Sequence, residues 1–459
     1  MHLTTISRVA GSRGLMETGT GVTGYPLPSM AQQAIIIRMQ LKYGETTFSL
    51  ALPQERLVGT ITATPVQPSK SPEELIVEAI ATCEPHLARF KPTDRVAIVT
   101  SDITRYTGSE LYLPLLVERL NRLGIPDRQI EIVIALGIHR KQTEHERKKI
   151  VGPLWGRIRI IDHDCDDPGR LVFLGKTNSG IEVEINRSIV EADRVILTGT
   201  IGFHYFAGFG GGRKSILPGS ASRKSCMASH FSVLNPGEGT GKNTLATTGN
   251  LEGNPVHQAT VEACAMVGPA FILNTVLSPD KRIIAVFAGD WQEAHAAGCR
   301  FYAEQFSFPI RERADLVVVS CGGFPKDINF IQAHKSMEYG SQAVKDGGVM
   351  VLLAQCRDGY GNATFFDWFR HQDLREFEAQ LRRHYEINGQ TAYSTLQKAQ
   401  RFRVILVSDL HPEEVLTMGM VPTKTLAEAI GLADRMLPQD YTAYVIPEGG
   451  TVLPVIEPN

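Results

Sequence analysis

From about residue 34 onward, short apolar runs rich in β-branched residues alternate with longer charged segments. "AIIIRMQL" and "TTFSLAL" change polarity every second residue and predict an opening hairpin. "SPEELIVEAIATCEPHL" (71–87) predicts a helix, with Ser71 as cap and Pro72 in the first turn. "RVAIVT" (95–100), "EIVIALGI" (131–138), "GRIRIID" (156–162) and "DRVILTGTI" (193–201) predict strands, with "LYLPLLVERLNRLG" as one of the helices between them. Unbroken apolar strands separated by helices predict an α/β fold whose largely parallel sheet is covered on both faces. A second such block starts near residue 312, with strand "ADLVVVSCGG", helix "SMEYGSQAVKDGG", and strands "VMVLLAQC" and "RFRVILVSDL".

The expected organisation is therefore two α/β domains with the active site in the cleft between them. The N-terminal domain spans 31–307, a polar proline-containing hinge spans 308–315, and the C-terminal domain spans 316–459. The last residues are expected to pack back on the N-terminal domain. Residues 1–30 are glycine-rich and polar, lack the apolar segment of a signal peptide, and are expected to be a disordered leader.

Composition narrows the function classes. The chain has 459 residues, 43% hydrophobic and 21% charged, with formal net charge −2. With no basic run, nucleic acid is not indicated as a partner. No apolar stretch approaches the roughly 20 residues of a membrane span, so no membrane is expected either. Seven scattered cysteines without a CxxC pair argue against a disulfide framework or structural zinc, and fit the cytoplasm.

Reactive residues gather just past the strands. "SDITRYTG" brings Asp102 and Arg105 after the first strand, His139 follows the second, and His204 and Lys214 follow "DRVILTGTI". "FPKDINFIQAHKSMEYG" brings Gln332 and Lys335 after the first strand of the second block. The carboxyl edge of an open parallel sheet is where ligands bind. Taken singly, Asp102 reads equally as a helix cap, Arg105 as a surface ion-pair partner, and His139 and Lys335 as solvated side chains. In "GFHYFAGFGGGRKSILPG" (202–219) the glycines predict a backbone that approaches a ligand and turns its N–H groups on an anion. "NPGEGTGKNT" (235–244) only imitates a phosphate loop, since Pro236 and Asn243 stand where Gly and Ser or Thr are required. Two histidines suit proton transfer near neutral pH, and the cations suit a small carboxylate-bearing substrate.

Five spaced motifs, "SDITR", "GIHR", "GFHYFAGFGGGRKSILPG", the "SH" at 229–230 and "FPKDINFIQAHK", resemble the nickel-dependent lactate racemase family, whose members carry a nickel-pincer nucleotide. The resemblance runs from about residue 45 to the end. It implies a pyridinium-derived mononucleotide (the nickel pyridinium-3,5-bisthiocarboxylate mononucleotide) attached at Lys214, with His230 as the protein's ligand to nickel. It further implies cofactor contacts from Asp102, Ile103, Thr104 and Arg105, and a substrate carboxylate held by Arg105, Gln332 and Lys335. His139 and His204 match the family's two acid/base positions, on opposite faces of a 2-hydroxy acid that loses and regains hydride. Proteins that build and deliver the cofactor are implied as partners. Ile331 stands where lactate-specific members carry tyrosine, which implies a different side-chain preference and leaves malate-like, aryl and sugar acids open. Trp368 is a candidate either for lining the cleft or for the core. Two other readings are a nicotinamide-dependent 2-hydroxy acid dehydrogenase, for which "GFGGGR" lacks the GxGxxG spacing, and a non-catalytic nickel-pincer binding protein, which would need no paired bases.

Overall fold

The computed structural model describes residues 35–457 apart from 65 and 69, so the expected leader lies outside the described residues. Two six-stranded sheets dominate, and the fold is α/β as expected. The first runs in the order Ile283–Gly289, Phe271–Leu277, Arg194–Ile201, Val96–Ser101, Ile130–Ala135, Arg159–Asp162. All its pairs are parallel except the outermost, between Phe271–Leu277 and Ile283–Gly289. Alternate residues of its strands enter different cores: Ile98, Ile132 and Ile196 on one face, Val99, Val133 and Leu197 on the other. That two-sided burial is why these strands read as continuous apolar runs. The chain leaves strand Val96–Ser101 toward one edge and returns through Arg194–Ile201 on its other side. These two neighbours form a topological switch point, where helices on opposite faces leave a crevice at the strand ends.

The second sheet is parallel throughout, in the order Val421–Thr423, Arg403–Val407, Val344–Leu353, Ala314–Ser320, Ala443–Ile446, Leu57–Thr60. Its last strand comes from the N-terminal part of the chain. The opening hairpin, Ile36–Tyr43 with Thr46–Pro53, lays Leu41, Tyr43, Leu50 and Leu52 on the same sheet beside Leu316 and Val318. Residues 36–60 therefore pack with the second block, although they precede the first in sequence. A free strand edge and an uncovered apolar face recruit them, and neither is local information.

Two further details differ from the sequence reading. Residues 336–348 are not one helix: a helix covers Phe330–Gly340 and strand Val344–Leu353 begins before the glycine pair. The segment 308–315 carries ladder hydrogen bonds, because Ser307–Ile310 pairs in parallel with Leu453–Ile456 near the C-terminus. Leu453 also lies against Gly249, bringing the end of the chain to the first block. No helix among the described residues is long and apolar enough to cross a membrane. All seven cysteines are free and buried.

Candidate active site

Strand Val96–Ser101 ends in the first sheet's switch point and delivers Asp102, which is 2% exposed. Its carboxylate accepts from the Thr104 N–H at 2.8 Å and hydroxyl at 2.5 Å, in a tight turn. Its other oxygen lies 2.6 Å from His139 Nδ1 and 3.4 Å from Arg105 Nη1. Burial pushes the Asp102 carboxyl up, but the His139 hydrogen bond and the Arg105 charge outweigh it and hold the group below the usual carboxylate range. An ionised Asp102 makes Nδ1 of His139 the protonated nitrogen and leaves Nε2 free to accept a proton. The N–H groups of Ile103 and Thr104 are already taken, by Gln142 and Asp102. They are not free to bind an anion, so contact with a nucleotide from this turn would fall to side chains.

His204 sits on a minimal hairpin, Phe203–His204 against Gly208–Phe209. Its Nδ1 accepts from the Ala207 N–H at 3.3 Å, which places the proton on Nε2, 3.3 Å from Lys214 Nζ. The ring stacks on Tyr205 at 5.5 Å and meets Phe206 edge-on at 4.5 Å. Burial and then the Lys214 charge hold its basicity well below that of a free imidazole. Lys214 lies on the short turn Gly212–Ser215. Burial first, then the Arg213 and Arg105 charges, bring its amine down to about 7. A neutral amine accepting from His204 Nε2–H is consistent with both pKa shifts.

The glycines of this loop do something other than cradle a ligand. A Cβ on Gly212 would lie 2.9 Å from the Thr198 backbone, and one on Gly211, at φ +117°, 2.7 Å from His295. The Gly210 N–H donates to the Gly202 carbonyl and the Gly212 N–H to Asn274 Oδ1. The triplet presses the loop onto strand Arg194–Ile201 and spends these two donors on Gly202 and Asn274, so neither of them is available to cradle an anion.

His230 ends helix Arg223–Phe231, which Ser222 caps through the Ser225 N–H. Its Nδ1–H donates to the Cys226 carbonyl at 2.8 Å, one helical turn back. The Nε2 lone pair is thereby fixed for a metal. Burial and then Lys214 bring its pKa down to about 4, so the ring stays neutral. Among the described residues no group of three or more His, Cys, Asp or Glu could hold a metal. His230 with a neutral Lys214 amine nearby therefore fits a metal whose other donors come from a tethered group.

Helix Phe330–Gly340 of the second block carries Gln332 and Lys335 on its exposed face, with Lys335 Nζ donating to Gln332 Oε1 at 2.9 Å. Desolvation of the ammonium by the surrounding protein and then the Arg105 charge hold Lys335 below the usual lysine range. The field of Arg105 also acts on His204, Lys214 and His230. This one guanidinium, 3.3 Å from His139, thus faces groups delivered by both sheets. Ile331 is half-buried against the second block's core, its N–H donating to the Tyr360 carbonyl. Trp368 stacks on Phe377 at 5.5 Å and is 8% exposed, which makes it core.

The carboxylate partner of His139 is not legible in the sequence, where Asp102 reads only as a cofactor contact or cap. Nor is Tyr205, whose ring stacks on His204. Only adjacency in the folded chain could have revealed either.

Comparison with known proteins gives a consistent answer. Residues 43–241 match the lactate racemase N-terminal domain and residues 310–454 the lactate racemase C-terminal domain. The chain is 34% identical over 430 residues to a lactate racemase of Thermoanaerobacterium thermosaccharolyticum, covering 90% of this chain and 98% of that one. It is 37% identical over 370 residues to a lactate racemase of Lactiplantibacillus plantarum, covering 79% and 85% respectively. The structure of the T. thermosaccharolyticum lactate racemase apoprotein superposes with TM-score 0.82 at 32% identity, over 91% of this chain and all of that one. A Thermotoga maritima structure at 17% identity and TM-score 0.59 shares the fold alone.

Proposed function

The chain belongs to the lactate racemase family, and on that premise we propose that it is a racemase or epimerase of a 2-hydroxy acid that works with a nickel-pincer nucleotide. The observation that carries this reading is the convergence of two imidazoles, His139 and His204, on Arg105 from separate strand ends, with Lys214 and His230 beside them.

Lys214 Nζ would be the attachment atom and His230 Nε2 the protein's ligand to nickel. The chemistry this group supplies when bound is reversible uptake of hydride from the substrate carbon. The rest falls to the protein. Arg105 and Lys335 grip the carboxylate, with Gln332 beside Lys335. His139, held in one tautomer by ionised Asp102, takes the hydroxyl proton of one stereoisomer through Nε2 and returns it from the opposite direction of reaction. His204 would do the same for the other stereoisomer once attachment removes the Lys214 amine from its Nε2 and the ring proton moves to Nδ1, giving up the long 3.3 Å contact from the Ala207 N–H. The depressed basicity of His204 keeps it neutral near pH 7, ready to accept a proton. Inversion needs two bases on two faces, which a dehydrogenase or a storage protein does not.

Substrate groups come from both sheets, so closure about the 308–315 segment would exclude water from the reacting carbon. The side chain of the acid would lie near Ile331, where an apolar group replaces a hydroxyl and favours substrates other than lactate. Delivery of the nucleotide by cofactor-building proteins in the cytoplasm completes the reading.

Production in a host carrying the cofactor-building genes, followed by intact mass and nickel analysis, tests it. A mass adduct with about one nickel per chain, both lost in Lys214→Ala, and racemisation of a member of a 2-hydroxy acid panel that includes lactate are expected. An unmodified, nickel-free chain from a host that loads a known racemase would overturn the assignment.

A further inference from the structure

Among the described residues Arg213 is the largest fully buried side chain, at 1% exposure, and its Nε contacts His295 rather than a group of the catalytic cleft. Lys214 and Arg105 act on His204 and His230, whereas Arg213 acts on His257 and His295. Its Nε lies 3.0 Å from His295 Nε2, which also contacts the Gly210 carbonyl at 2.8 Å. Both terminal nitrogens, Nη1 and Nη2, have no hydrogen-bond partner. Among the described residues no carboxylate pairs with Arg213, and the groups acting on it are the thiols of Cys299 and Cys264. Those thiols are pushed up to about 12 by burial and stay neutral.

A guanidinium keeps its proton even when buried, so a positive charge sits here with nothing to balance it. Two neighbours share the deficit. Asn274 gives its Oδ1 to the Gly212 N–H, which fixes the amide, and its Nδ2 is buried without a partner. His257, whose ring lies 6.5 Å from His295, has a buried Nδ1 without a partner. The unsatisfied groups comprise two guanidinium nitrogens, an amide nitrogen and an imidazole nitrogen, all of them able to donate. Water would answer the hydrogen bonds but not the charge.

We propose that Arg213, Asn274 and His257 form a buried site for a small monovalent inorganic anion of halide size, directly beneath the Lys214 turn. The burial of the donors argues for a small ion, since Arg213, Asn274 and His295 are each at most 3% exposed. His257 is the one half-buried member of the group. The site is separate from the catalytic cleft but adjoins it through the backbone of Gly212 and Lys214. An anion here would offset the Arg213 field on the Lys214 amine.

The test uses the unloaded full-length chain. Crystals soaked in bromide should show an anomalous peak in contact with the Arg213 guanidinium. At constant ionic strength, thermal unfolding should move to higher temperature in bromide or chloride than in gluconate. Asn274→Asp retains the acceptor for Gly212 and places a carboxylate beside Arg213. In that variant both the bromide peak and the halide-dependent shift should disappear. Arg213→Met should behave likewise if it folds. A site that takes up only water in bromide-soaked wild-type crystals would overturn the proposal, as would a halide-dependent shift undiminished in Asn274→Asp.

Discussion

At the scale of single residues, the site is a set of proton states fixed by neighbours. Asp102 is ionised because a hydrogen bond and a cation overcome its burial, and that ionisation fixes the tautomer of His139. Replacing His139 or His204 by Gln removes one proposed acid/base, so turnover should fall by roughly 10²- to 10⁴-fold while nickel content stays unchanged. Equal loss of nickel and turnover would instead make the histidines structural. Lys214 gives a sharper handle. Burial and then the Arg213 and Arg105 charges bring its amine down to about 7 from the ordinary lysine range. Amine-directed labelling of the unloaded chain, read by peptide mass, should therefore rise through a midpoint of about 7 at this lysine. Between that pH and 10.5 the unfolded chain holds the proton and the folded chain does not, so Lys214 adds stability as pH rises through this window. Burial and then the Lys214 charge bring His230 down to about 4 in the folded chain, so on acidification its contribution to stability is lost from the ordinary histidine range down to that value. A labelling midpoint near 10 would remove the neutral-amine reading of the Lys214–His204 contact.

At the scale of elements, short turns and caps carry these residues to their places. Gly212 lets the Lys214 turn lie on strand Arg194–Ile201, where a Cβ would come within 2.9 Å of the Thr198 backbone. Gly212→Ala should cost about 1–3 kcal/mol in denaturant unfolding and reduce attachment at Lys214, because backbone cannot yield as a flexible side chain can. Ser222 caps the helix that ends in His230, and Ser71 caps helix Pro72–Thr82 with a full capping box. Each Ser→Ala change should cost about 1 kcal/mol. Only Ser222→Ala should also weaken nickel retention, since only that helix bears the proposed metal ligand. The same elements show what a sequence can reveal. Buried parallel strands announce themselves as runs such as "RVILTGTI", and reactive residues just after them lie at the carboxyl edge by construction. The strand ends of Asp102, His139, His204 and Gln332 were legible for that reason. The role of the glycine triplet was not, because close approach to a ligand and close approach to a strand demand the same residue. The partnership of Asp102 with His139, 37 positions apart, was equally hidden.

At the scale of the whole molecule, the helix proposed to grip the substrate must hold a fixed position relative to the sheet that carries Lys214. The segment that imitates a phosphate loop does part of this. Residues 235–243 form a loop, not a strand–loop–helix unit, and its contacts run to the second block. The Gly241 N–H donates to Glu378 at 2.9 Å, Arg382 donates to the Asn235 carbonyl at 2.8 Å, and Lys242 Nζ lies 3.5 Å from Glu338. Glu338 is 2% exposed and sits on helix Phe330–Gly340, three residues beyond Lys335. It also pairs with Lys398 at 2.5 Å, and the lysines outweigh its burial to keep it ionised. Breaking a buried pair from one side leaves a charge without compensation, at roughly 3–5 kcal/mol when no second partner exists. Lys242→Met leaves Glu338 with Lys398, so its cost should fall below that range and appear mainly as freedom of the helix. The expected result is a KM raised about tenfold, equivalent to about 1.4 kcal/mol, with kcat and nickel content nearly unchanged. Glu338→Gln strands the buried Lys398 and the half-buried Lys242 and should instead lower stability by several kcal/mol. If Lys242→Met lowered kcat and nickel content but spared KM, the loop would be serving the half of the molecule that holds Lys214, and the position of Lys335 would have to be set by the helix's own packing.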